Sequence, residues 1–144
     1  ATGDHSFAAI GYTHTGNPVA CAAGLAALDI AVREKLPDNA REVGAYFLGR
    51  LRDLMARHEA IGDVRGKGLM MTVEMVKDRA TREAFAHEHP FPSAIAKFCR
   101  ENGVWLRQVD HKFIISPPLI FTRDHVDQVI EVLDAAYAKT PVGD

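Results

Sequence analysis

Residues 11–28, Gly-Tyr-Thr-His-Thr-Gly-Asn-Pro-Val-Ala-Cys-Ala-Ala-Gly-Leu-Ala-Ala-Leu, constrain this chain more than any other stretch. A short glycine-bearing loop empties into a helix of small residues. Asn17 suits the N-cap, where its side-chain oxygen can accept from an N–H of the first turn. Pro18 then falls at the first helical position, where its missing N–H costs nothing. The free donors and the positive end of the helix dipole favour an anion, phosphate above all. The hydroxyls of Thr13 and Thr15 add donors. An ordinary capped helix start has the same spacing and is the commoner object, so spacing alone favours that plainer reading over an anion site. Residues 19–32 are almost wholly apolar, rich in alanine and broken only by Asp29. A helix with so little polar face is expected to pack on several sides within a larger body. It is too short and too interrupted to span a bilayer.

Composition narrows the classes. A chain of 144 residues is enough for one domain with a core, or for a piece of a larger one. A net charge of -2 gives no electrostatic case for nucleic acid or an anionic membrane. The two cysteines, Cys21 and Cys99, lie far apart in helical apolar contexts. They read as buried free thiols of a reducing cytosol, hence a cytoplasmic protein. The chain opens on Ala1 without an initiator methionine or a signal peptide, so it is expected to be a fragment.

The periodicities predict the elements that follow. Asp38 is expected to cap a second helix whose Val43, Phe47, Leu48, Leu51, Leu54 and Met55 form one stripe, with Gly62 ending the segment. Arg41, Arg50, Arg52 and Arg57 fall largely off that stripe, on a solvated face. Residues 69–76 read as a strand, with Met71, Val73 and Met75 alternating against Thr72 and Glu74. Residues 77–92 read as a polar, helix-permissive surface excursion, and 93–102 as an amphipathic helix stopped by Gly103. Strands at 104–108 and 112–116 form a hairpin, and Thr122 caps a last helix carrying Val126, Val129, Ile130, Leu133 and Tyr137. The expected class is α/β of the α+β kind, with helices outside a small, mainly antiparallel sheet.

Three segments in order carry a family resemblance: Gly-Tyr-Thr-His-Thr-Gly-Asn-Pro at 11–18, Val-Arg-Gly-Lys-Gly-Leu-Met at 64–70, and Ile-Ser-Pro-Pro-Leu-Ile at 115–120 followed by Thr122. Together they resemble the C-terminal part of class III aminotransferases, the ω-transaminase group of fold-type-I pyridoxal-phosphate enzymes. The resemblance implies that 1–36 is the end of the large domain with the linking helix, and 37–144 the C-terminal small domain. It implies pyridoxal 5'-phosphate as cofactor and a homodimer, in which Thr13, and Tyr12 through its backbone, hold the cofactor phosphate of the neighbouring subunit. Gly16, Asn17 and Pro18 would shape the turn. Ala9-Ile10 stand where many relatives carry histidine and glycine, which puts any role of that histidine in doubt. Arg107, nine residues ahead of Ser116, matches an arginine that clamps the substrate carboxylate in pyruvate-using relatives. A guanidinium fork pairs bidentately with a carboxylate and stays charged at every working pH. The plain alternative is an arginine at a strand end, just before a turn, reaching solvent.

Other residues read as structural. Arg65-Gly-Lys-Gly68 lacks the spacing and the terminal Ser or Thr of a P-loop. His87-Glu-His89 offers two alternate histidines without further ligands, so no metal is expected. Asp110 and His111 sit in the hairpin turn and are weak candidates for the substrate entrance. The family's chemistry needs a lysine that holds the cofactor as a Schiff base and then shuttles a proton between two carbons. None of Lys35, Lys67, Lys77, Lys97, Lys112 and Lys139 stands in that context, so no catalytic residue is assigned and the chain alone is expected to be inactive. The implied activity of the parent is amino transfer from an amine or ω-amino acid to a 2-oxo acid such as pyruvate. The alternatives are a non-catalytic dimerisation or binding module, or an aminomutase, decarboxylase or racemase on the same scaffold.

Overall fold

The computed structural model describes residues 13–143, in two units, Ala1–Lys35 and Leu36–Asp144. Tyr12 lies outside the described residues.

In the first unit a turn over 13–16 closes on Gly16, whose φ of +78 is the left-handed value that glycine adopts without strain. Helix α1 (Pro18–Arg33) follows. Asn17 caps it as expected, its side-chain oxygen accepting from Val19 N at 3.0 Å and Ala20 N at 3.2 Å. No residue of α1 is buried. The packing that its alanine-rich sequence predicts is therefore not made within this unit. Cys21 is exposed rather than buried, because it sits on this helix.

In the second unit α2 (Leu36–Arg57) starts two residues before the expected cap. Lys35 breaks the chain with a φ of 52, and Pro37 is tolerated in a first helical turn. Asp38 thus lies inside that turn, where it pairs with Arg41 at 2.9 Å. The stripe faces inward, with Val43, Phe47, Leu51 and Leu54 buried.

The next element departs from the sequence reading. Where Gly62 is expected only to end the helical segment, strand β1 (Ile61–Lys67) forms. It pairs antiparallel with β2 (Met70–Asp78), and the register places Val64 opposite Val73 and Arg65 opposite Thr72. Gly62 and Gly66 hide the strand in the sequence yet make it possible. A side chain on Gly62 would run into Val76, and one on Gly66 into Met70 and Met71. In β2 the predicted alternation holds, with Met71, Val73 and Met75 buried.

The stretch after β2 is not helical until Pro90. Asp78 accepts from Ala80 N at 2.7 Å and Thr81 N at 3.0 Å, and a two-residue strand β3 (Glu83–Ala84) pairs back on β2. Phe85 is buried and its ring lies 5.2 Å from that of Phe91, so the excursion is anchored in the core. One nitrogen of the Arg79 guanidinium donates to the carbonyls of Met55, His58 and Ile61 at 2.6, 2.7 and 2.8 Å, closing the C-terminal end of α2.

Helix α3 (Pro90–Glu101) then runs with Ile95 and Cys99 inward, and Gly103 ends it at φ +83. Strands β4 (Arg107–Val109) and β5 (Lys112–Ile115) form the hairpin, β4 being shorter than expected. Arg107 is accordingly the first residue of its strand, not the last before a turn. Helix α4 (Arg123–Lys139) begins at the Thr122 cap, which exchanges hydrogen bonds with His125. The sheet order is β1-β2-β5-β4, every pair antiparallel. The core fills the space between the sheet and α2, α3 and α4. The second unit is the expected α+β arrangement of helices on a small antiparallel sheet.

Candidate functional site

The first candidate element is the loop ahead of α1. Thr13 is exposed at its start. The amides of the first helical turn are already engaged, which the sequence reading did not foresee. Val19 N and Ala20 N bond the Asn17 side chain, Cys21 N bonds the Asn17 carbonyl at 2.9 Å, and Pro18 has none to give. An anion here would meet the Thr13 hydroxyl, the loop backbone and the field of the helix, not a ring of free helix amides. Asn17 and Gly16 shape the turn, as their chemistry suggested. What this end of the unit offers a phosphate is the exposed Thr13, with no acidic residue in α1's first turn to oppose the charge.

The second element is β4. Arg107 is exposed, and its guanidinium makes no ion pair or hydrogen bond among the described residues. Its strand register puts it opposite Ile114, which stands opposite Thr72, which stands opposite Arg65. Directly paired residues share a sheet face, so an arginine marks each end of this cross-strand row. Only one is free. Arg65 bonds Asp63 and reaches Glu74 at 2.6 Å. Arg107 also borders a largely apolar cavity of about 490 Å³, with Trp105, Leu106, Phe121 and Val129 in its wall.

The surrounding residues hold this edge. Partial burial works against the Glu74 charge, but the Arg65 and His111 side chains hydrogen-bonded to it hold the carboxyl below its ordinary value. His111 turns to that carboxylate at 3.3 Å, and Asp110 lies 3.7 Å from His87. His89 acts as N-cap of α3, its Nδ1 accepting from Phe91 N at 3.2 Å. The Ser-Pro-Pro segment is fixed by Asn39, whose amide donates to the carbonyls of Leu119 at 2.7 Å and Phe121 at 3.0 Å. Nothing in the sequence signalled Asn39, because its partners lie some 80 residues away. The glycines of 64–70 pack rather than bind. Gly68, at φ +57, receives α2 at Gly44, where any side chain would run into the Gly68 backbone. Thr13 and Arg107 belong to different units.

The family model for class-III aminotransferases matches residues 2–137, nearly the whole chain. The chain belongs to the class-III aminotransferases. Among its relatives, a mitochondrial alanine–glyoxylate aminotransferase 2 homolog of Arabidopsis thaliana is 40% identical over 130 residues, covering 88% of this chain and 27% of that protein. An alanine/serine racemase of Pyrococcus horikoshii is 37% identical over 137 residues, or 91% of this chain and 27% of that protein. The solved structure of an amine transaminase from an uncultivated Pseudomonas species, in its PLP-bound form, superposes with a TM-score of 0.87 at 44% identity. That match covers 94% of this chain and 30% of the other. This class-III aminotransferase chain thus spans under a third of the length of the relatives it matches. The family's enzymes work with pyridoxal phosphate. Among the described residues, no helix of this class-III chain is long and apolar enough to cross a membrane.

Proposed function

We propose that this chain is the C-terminal part of a pyridoxal-phosphate-dependent aminotransferase that moves an amino group from an amine or ω-amino acid to a 2-oxo acid, pyruvate above all. The observation that carries the acceptor is Arg107, an exposed guanidinium without a partner among the described residues, beside an apolar cavity. Such a group binds a carboxylate in two parallel N–H···O bonds and fixes its plane. The apolar wall beside it favours the carbon skeleton of the same molecule over water. When bound, pyridoxal phosphate supplies the electron sink that lets an amino group pass between two carbons. Thr13, with the Tyr12 backbone, would hold the phosphate end of that group in the neighbouring subunit of a homodimer. Residues 1–36 would then close the large domain and 37–144 form the small one. No lysine of this chain is assigned the covalent role, and the chain alone would not transaminate. The unpaired Cys99 thiol suits a reducing, cytoplasmic setting.

The test uses the complete protein that carries these residues, loaded with pyridoxal phosphate. An amine donor should bleach the visible absorption of the bound cofactor and pyruvate should restore it. Replacing Arg107 by alanine removes a charge-assisted pair, so the KM for pyruvate should rise roughly 10- to 100-fold while that of an amine without a carboxylate stays put. A pyruvate KM that does not move would remove Arg107 from the reading. An isomerase on the same scaffold is the second reading, favoured by the likeness to the Pyrococcus racemase. It would interconvert amino-acid enantiomers with no 2-oxo acid added.

A further inference from the structure

We infer that Gln108 is a positioning residue for the substrate carboxylate, acting through Arg107 by pinning the register of β4; the inference rests on the carboxylate role proposed for Arg107. Strand β4 has three residues and lies at the end of the sheet order, paired among the described residues on one side only, with β5. Arg107 is the first of the three, so few ladder bonds hold the residue whose direction matters most. Side chains alternate across a strand, and a slip of one residue moves every side chain to the opposite face. Here that slip would exchange Arg107 with Gln108. The guanidinium would leave the exposed row it shares with Ile114 and turn toward the face that holds the buried Phe113, opposite which Gln108 now sits.

The Gln108 side chain opposes this slip in two ways. Its Nε2 donates to the Asp110 carbonyl oxygen at 2.9 Å, bracing the hairpin where Asp110 takes the left-handed φ of 51. The same nitrogen lies 3.3 Å from the Ser93 hydroxyl oxygen in α3, tying the strand to a helix of the core layer. One amide thus fixes both the turn and the edge from the side opposite to Arg107. Only the donor matters for this role, since both partners accept.

The experiment compares Gln108→Met and Gln108→Glu in the complete, cofactor-loaded enzyme. Each keeps the length of the side chain, and each loses the N–H donor. Two acceptors are used, pyruvate and a simple aliphatic aldehyde that has no carboxylate, with Arg107→Ala measured alongside. The expected result for both Gln108 variants is a pyruvate KM raised about three- to tenfold, with kcat, the aldehyde KM and the thermal midpoint little changed. A pyruvate KM unchanged in both variants, while Arg107→Ala raises it, would overturn the positioning role. An equal rise for both acceptors would also overturn it, because a purely structural loss does not distinguish them. If Arg107→Ala itself leaves the pyruvate KM unchanged, the carboxylate reading of Arg107 has failed and this inference falls with it.

Discussion

Tyr137 shows what one buried oxygen can cost. The helical period of α4 turned it inward correctly, and its ring packs 6.2 Å from Phe91 and 5.5 Å from His58. Its hydroxyl, however, is buried and has no hydrogen-bond partner among the described residues. Burial, with the Cys99 thiol adding to it, pushes the phenol far above its ordinary value. Periodicity names a face and says nothing of an atom at its tip, so the orphaned oxygen was not legible. Tyr137→Phe keeps the ring and removes the unsatisfied group. The variant is expected to match the parent or exceed it by up to about 1 kcal/mol in urea unfolding, and a clear loss of stability would show that the hydroxyl is bonded after all. Cys99, next to it in the core, is a neutral thiol at neutral pH, because burial pushes it up to about 11. Both cysteines looked alike in sequence. They differ because one helix lies over a sheet and α1 has no buried residue.

Among the elements, legibility followed side-chain period. Helices α2 and α4 and strand β2 announce themselves because their apolar residues recur at the spacing of the element. Strand β1 does not, since Gly62 and Gly66 replace the side chains that would have marked it, and Asp63, Arg65 and Lys67 occupy its exposed positions. Helix α3 starts at Pro90, ahead of the expected residue 93, because its cap is a histidine, outside the residues that ordinarily cap helices. The contact between α2 and the β1–β2 turn has the same character. Gly44 has no helical virtue in itself, but it lets the helix backbone meet Gly68. Gly44→Ala should improve intrinsic helix propensity and still destabilise the protein by about 1–3 kcal/mol, because backbone on both sides leaves the new methyl nowhere to go. Equal or greater stability on thermal unfolding would mean that the turn yields more easily than its glycine suggests.

At the scale of the Leu36–Asp144 unit, α2 and α4 are joined by a polar seam beside the core. Tyr46 donates to Asp127 at 2.8 Å, and Arg57 and His58 both reach Asp134 at 2.5 Å. The arginines of α2, expected on a solvated face, are only partly so: Arg50 and Arg57 are partly exposed, yet they face acidic partners one helix away. The hydrogen bond from His58, aided by Arg57 and opposed by partial burial, holds the Asp134 carboxyl below its ordinary 3.8. A carboxyl depressed in the folded state adds stability that is present above its unfolded value and disappears as pH falls through the folded one. Asp134→Asn should therefore be less stable than the parent at pH 7, with the gap closing as pH drops below about 4. Urea unfolding at pH 7 and pH 3 measures this, and a gap of equal size at both would contradict it. At the same scale, the candidate site was legible only as residue types. The motif order points to Thr13 and Arg107, whereas the filled amides of α1, and an Arg107 guanidinium with no partner among the described residues at the far end of the cross-strand row from an engaged Arg65, emerge only in the fold.

The guanidinium of Arg79 has a consequence in time as well as in space. The three carbonyls it gathers lie 18 to 24 positions behind it in the chain. A helix that ended in a local glycine motif could complete its last turn as soon as that turn was made. Here the closing group arrives only after β1 and β2 have been laid down. During synthesis the far end of α2 would stay frayed until the ribosome had released Arg79. Closure of that end is then a late step, made together with the first hairpin of the sheet and not before it.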